Sequence, residues 1–102
     1  MEMEHDMTCY LIAQINVHDR EEYRKYLEGF DEVFKDYDGA ILAADKEPVV
    51  LEGQWPYQRT VLMSFRDTQE AQRWYESPQY QALARQRQGA SDSNIVLVRG
   101  ME

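Results

Sequence analysis

A chain of 102 residues, 43% hydrophobic and 12% aromatic, is long enough for one domain with a packed core and too apolar for wholesale disorder. Its formal net charge of -8 argues against nucleic-acid binding, which needs a basic footprint, and no apolar run approaches the roughly 20 residues of a membrane span. Cys9 is the only cysteine, so no intramolecular disulfide is possible, and the acidic start MEMEHDM lacks the basic and apolar regions of a secretory signal; a cytoplasmic protein is expected.

Residues 1–6 read as a flexible acidic tail ahead of a domain that fills the rest of the chain. Residues 7–17, MTCYLIAQINV, alternate. Met7, Cys9, Leu11, Ala13, Ile15 and Val17 fall on one face, and Thr8, Tyr10, Ile12, Gln14 and Asn16 on the other, as in a strand. The period then changes. Tyr23, Tyr26, Leu27, Phe30, Val33, Phe34 and Tyr37 repeat at three and four and form one apolar helix stripe. Asp19 and Glu22 have capping-box spacing at its start, and Gly39 is the expected C-cap. Gly29 sits mid-helix, where it costs about 1 kcal/mol relative to Ala unless it permits a close approach.

AILAADKEPVVLEG reads as a bent or interrupted strand with Pro48 near the break. QWPYQ is a turn and RTVLMSFRD the next strand, so that LEGQWPYQR is expected to be a hairpin. Asp67 and Glu70 open a second helix through Ala71, Trp74 and Tyr75. Ser77 and Pro78 restart it as N-cap and first helical residue, and this last helix ends near Gly89. SNIVLVRG is the final strand. The order β-α-β-β-α-β is that of an α+β, ferredoxin-like domain, an antiparallel sheet with its helices on one face. The other face would carry Tyr10, Ile12, Leu62, Val96 and Val98. Such a contiguous apolar surface calls for a cover, and a homodimer stacked sheet on sheet through a two-fold axis supplies one.

Charge is uneven along the chain. Fourteen acids face five bases up to Pro56, against five acids and six bases from Tyr57 onward. An anionic ligand, if one exists, belongs to the second half. Across the division, Glu52 and Arg59 flank a turn, where a structural ion pair is the favoured reading and a carboxylate at a pocket mouth the functional one. Trp55 needs an apolar bed and a partner for its N–H. Trp74 and Tyr75 leave their helix about 100° apart, so that one is core. The other, with Tyr80, is a candidate cavity wall. Arg87 borders the apolar side of the last helix, at i+4 from Leu83, within reach of the same cavity. His18 and His5 have no ligand spacing, so no metal or cofactor is expected. Cys9 lies on an apolar face and reads as an inert thiol. No triad, phosphate loop or dinucleotide fingerprint is present.

The blocks YLIAQINVHDREEY, LEGQWPYQRTVLMSF, RWYESPQYQALARQR and SNIVLVRG resemble the small bacterial proteins grouped as domain of unknown function 1330, over residues 10–100. L-E-G-x-W followed by Arg, and W-Y-x-S-P-x-Y-Q-x-L followed by Arg, carry the likeness through Glu52, Trp55, Arg59, Trp74, Tyr75, Ser77, Pro78, Tyr80, Leu83 and Arg87. The chain departs from that pattern at Asn94 and Arg99, and in its acidic extension. The resemblance implies the dimeric α+β barrel superfamily, whose members include cofactor-independent monooxygenases, lactone isomerases and haem-dependent enzymes. It implies no particular reaction. Three functions are expected: binding of a small molecule in a cavity between sheet and helices, a cofactor-independent monooxygenase or isomerase, or a structural interaction module.

Overall fold

The computed structural model describes residues 7–101; the expected acidic tail and His5 lie outside them. The elements are β1 (Cys9–Val17), α1 (Arg20–Phe34), β2 (Gly39–Asp45), β3 (Arg59–Phe65), α2 (Thr68–Tyr75), α3 (Pro78–Ala90) and β4 (Ser91–Arg99). One four-stranded sheet has the order β2-β3-β1-β4, and every neighbouring pair is antiparallel. This is the expected ferredoxin-like arrangement, with the second helix divided at Ser77-Pro78.

Side-chain caps set the helix starts. Asp19 accepts from the Glu22 N–H, Asp67 from that of Glu70, and Ser77 from that of Tyr80. The end of α1 departs from expectation. The helix stops at Phe34, and Gly39 opens β2 instead of capping the helix. A Cβ on Gly39 would lie 2.9 Å from the Phe65 ring and 3.0 Å from that of Phe34, so the position is kept bare by aromatic packing. At Gly29 a Cβ would meet the Leu83 side chain at 2.8 Å. The missing side chain lets α1 and α3 approach.

Register follows alternation. Cys9, Leu11, Ala13 and Ile15 of β1 are buried beneath the helices together with Met63 and Phe65 of β3. Tyr10, Ile12 and Gln14 face the other way. They are paired with Val98, Val96 and Asn94 on one side and with Ser64, Leu62 and Thr60 on the other. Between helices and sheet lies an aromatic cluster in which the Phe34, Phe65 and Tyr80 rings surround Trp74, the Tyr80 centroid being 4.1 Å from that of Trp74. A bulge between Ile41 and Ala43 shifts the register of β2 on β3.

The chain between β2 and β3 is not a hairpin turn. Residues 46–58 form an irregular excursion, in which Gly53 takes a φ of 81° that suits glycine. Asn16 ties it to β1: its Nδ2 donates to the Pro56 carbonyl and its Oδ1 accepts from the Gln58 N–H, at 3.2 and 2.9 Å. Glu52 therefore has no strand position from which to face Arg59.

Glu70 is a buried carboxylate that hydrophobic patterning does not reveal. It accepts from the Asp38 N–H at 2.8 Å and from Arg73 Nε and Nη2 at 3.0 and 2.9 Å, fastening α2 to the start of β2. Arg73 and the Asp38 N–H hold its carboxyl below the ordinary value of 4.5. A depressed folded-state value adds stability that is present above the unfolded value and is lost as pH falls through the folded one. Glu70→Gln is expected to cost about 1–2 kcal/mol at pH 7, with the gap to the unaltered protein closing below pH 4 in pH-resolved urea titrations. Phe34→Ala, which removes a ring 9% exposed, is expected to cost about 3–5 kcal/mol. Phe30 is only partly buried, and Phe30→Ala is expected to cost roughly half as much in the same titration.

Candidate functional site

Packing between α1 and the sheet is incomplete. Large rings project from the helices, but the strands beneath them carry Ala13 and Ala44, and a cavity of about 110 Å³ remains. Tyr26 and Phe30 of α1, Trp74 and Tyr80 of the later helices, and Leu11 and Met63 of the sheet form much of its wall. The surface is almost wholly apolar, and one end of it gathers Tyr26, Tyr80 and Arg87.

That end is built from three elements. The Tyr26 and Tyr80 hydroxyls share a hydrogen bond of 2.8 Å. Arg87, only 3% exposed, has its guanidinium carbon 5.9 Å from the centre of the Tyr26 ring. Its Nη1 donates to Ser93 Oγ at 2.7 Å, whereas Nε and Nη2 have no partner among the described residues. Trp74 Nε1, also buried, has none either. Burial pushes the Tyr26 phenol well above its ordinary value, and the neighbouring Tyr80 adds to the shift. Burial likewise raises Tyr23. Both phenols are therefore protonated at neutral pH, while the guanidinium keeps its charge.

Arg59 stands at the opening, its guanidinium carbon 5.0 Å from the centre of the Tyr23 ring. It also lines an outer groove with Arg20, Arg24, Lys46 and Glu47. Arg24 is held there by Glu21 and Glu28.

Of the residues singled out from sequence, Arg59, Trp74, Tyr80 and Arg87 line this one cavity. Glu52, Trp55 and Tyr75 do not. Glu52 is exposed within the irregular excursion. Trp55 is 44% exposed, and its Nε1 donates to Thr60 Oγ1 at 2.9 Å; Thr60 pairs with Gln14, so the indole is tied to the sheet face opposite the helices. Tyr75 packs its ring against Trp74 and Tyr80 behind the cavity wall. His18 is exposed and Cys9 fully buried. Among the described residues no three His, Cys, Asp or Glu side chains are grouped so as to hold a metal ion, and no described helix is long and apolar enough to cross a membrane.

Tyr26 and Ser93 were not singled out as site residues. Tyr26 has the spacing of an ordinary core residue, and only its hydroxyl, which needs a partner once buried, hints at another role. Ser93 becomes relevant only when β4 is laid beside α3.

The fold recurs among solved structures. The chain is similar to a protein of unknown function from Rhodopseudomonas palustris, with a TM-score of 0.79 and 14% identity over 95% of this chain and 85% of that one. It is also similar to SnoaB, described as a cofactor-independent oxygenase from Streptomyces nogalater, with a TM-score of 0.68 and 13% identity over 94% of this chain and 95% of that one. A third likeness is to a dimeric ferredoxin-like protein of unknown function from Thermobifida fusca, with a TM-score of 0.65 and 12% identity over 98% and 97%. At these identities the likeness is one of fold. No curated protein matches the chain. The family model described as Domain of unknown function (DUF1330) matches residues 8–101, and the chain belongs to that family.

Proposed function

We propose that this protein is a single-domain, cytoplasmic homodimer that binds a small, largely apolar molecule in the cavity between α1 and the sheet. The observation that carries this reading is the ring-walled cavity itself, with one end polar. Apolar walls with a few convergent polar groups characterise small-molecule sites, whereas a purely structural module gains nothing from leaving a void that forfeits packing.

Catalysis of the cofactor-independent oxygenase or isomerase kind is the second reading, favoured by the shared fold with SnoaB. Isomerase-type proton transfer calls for a side chain that can act as a general base. Among the described residues, none that lines the cavity is an aspartate, glutamate or histidine, and phenols raised by burial are poor bases at neutral pH. The lining suits recognition better than proton abstraction.

The dimer rests on the outer sheet face. Val96 and Val98 are 53% and 44% exposed, and Tyr10, Ile12 and Leu62 lie between them and β2. Soluble proteins cover such contiguous patches, and the fold is shared with a ferredoxin-like protein described as dimeric. A two-fold stacking of this face on its own copy buries the patch.

Two measurements test these proposals. Light scattering at micromolar concentration is expected to give about twice the 12.1 kDa protomer mass, and Val96→Asp, which would leave an unpaired charge at a dry interface, is expected to yield monomers; a wild-type monomer would exclude the dimer. For the cavity, amide chemical shifts are followed while benzene or xenon is added, as both enter apolar protein cavities. Shifts are expected around Ala13, Tyr26 and Tyr80, and Ala13→Leu, which fills the space, is expected to remove them with little change in melting temperature. Shifts that survive Ala13→Leu would place the binding elsewhere.

A further inference from the structure

Hydrogen-bonding capacity at the polar end of the cavity is one-sided. Arg87 Nε and Nη2 make no hydrogen bond of good geometry among the described residues, and neither does Trp74 Nε1; the Tyr80 phenol lies beside the guanidinium. The Tyr26–Tyr80 pair adds another donor, because one phenol donates to its neighbour and the accepting phenol keeps its own hydrogen. A guanidinium, an indole and two phenols thus line one cavity that has no carboxylate in its wall among the described residues. Buried polar groups are almost always paired, and an uncompensated buried charge is among the costliest arrangements in a protein. What is missing is a group that accepts several hydrogen bonds, donates none and carries negative charge.

We propose that the ligand is a small monocarboxylate whose carboxylate docks on the Nε–Nη2 edge of Arg87 and whose short, branched apolar body fills the ring-walled space. This rests on the reading of the cavity as a binding site and names the ligand class it takes. The geometry of the free edge is specific. Ser93 occupies Nη1, leaving the two nitrogens whose N–H bonds run parallel and match the two oxygens of a carboxylate. Ionised carboxylates are acceptor-only, with about four lone-pair sites, enough for that edge and for further donors beside it. The cavity, at about 110 Å³, is of the same order as the roughly 150 Å³ space that holds benzene in an engineered protein cavity. An aliphatic body of about four carbons, no bulkier than benzene, therefore suits it.

The approach route has matching charge. In a chain of net charge -8, the groove outside the opening carries Arg20, Lys46 and Arg59, with Glu47 as its one acid among the described residues; Arg24 is held by its own glutamates. A local positive field at the mouth of a low-dielectric cleft draws in an anion that the rest of the surface repels.

The test compares three ligands of one shape by calorimetry at pH 7 with the full chain: isovalerate, isovaleramide and 4-methyl-2-pentanone. Isovalerate is expected to bind about 30-fold more tightly than either neutral analogue, the scale of one charge-assisted hydrogen bond. Arg87→Met should remove that advantage while leaving the ketone within about threefold, and Arg87→Lys should recover part of it. Equal affinity for all three, or undiminished isovalerate binding by Arg87→Met, would overturn the proposal. Ketone bound in preference to acid would overturn it too, while leaving the cavity as a binding site. If none of the three binds and benzene and xenon also stay out, the cavity reading fails and this proposal with it. The comparison on the unaltered protein decides the matter even if Arg87→Met does not fold.

Discussion

The seam between α1 and α3 governs both the fold and the cavity. Gly29 admits the Leu83 side chain, and one turn earlier on each helix the Tyr26 and Tyr80 hydroxyls meet at 2.8 Å. A side chain at Gly29 would press on the Leu83 methyl, which would have to shift. With the seam closed, the rings of α1 are held above strands whose residues there are small, and the space that the alanines leave cannot collapse. The void is thus a product of helix spacing as much as of local composition.

Electrostatics at the site run against those of the molecule. The acids are concentrated in the first half of the chain. On the exposed side of α1 they are answered by ion pairs such as Lys25 with Glu22 and Lys35 with Glu32, of the solvated kind that contributes little to stability. Arg87 is the opposite case, a cation nearly without solvent and, among the described residues, without a counter-ion. Stability alone would favour an apolar residue of similar length there. The proposed recognition role gives such a charge a reason to be kept. Glu70 shows the contrasting solution: a buried carboxylate with a backbone N–H and a guanidinium on it, whose role is mechanical.

The excursion between β2 and β3 gathers conspicuous side chains without building the site. Trp55 is bonded to Thr60 and Asn16 holds the backbone at Pro56 and Gln58, so this segment is fastened to the sheet on the side away from the helices. It lies beside the apolar outer face, the side proposed to meet a second copy. Arg59, where β3 begins, is the point at which the chain passes from that side to the mouth of the cavity.

Much of the fold was legible in the chain. Strict alternation in residues 9–17, the aromatic stripe of α1, the Asp19, Asp67 and Ser77 caps, and the break at Ser77-Pro78 are local signals with local causes, and each appears where its period or cap places it. The two-faced apolar character of β1, β3 and β4 is equally a matter of alternation. Sequence spacing also brought Trp74, Tyr80, Arg59 and Arg87 forward as candidates, since a large ring or a cation beside a core stripe is visible in one dimension. Tertiary structure decided the rest. The end of α1 before Gly39 depends on Phe34 and Phe65 meeting from different elements, and the burial of Glu70 on Asp38 is remote in sequence. Placing Glu52 and Trp55 at the site assumed a hairpin, yet thirteen irregular residues carry no period from which to read direction. Above all, a missing partner has no sequence signature: that two Arg87 nitrogens make no hydrogen bond of good geometry among the described residues follows only from what the folded elements bring within reach of them.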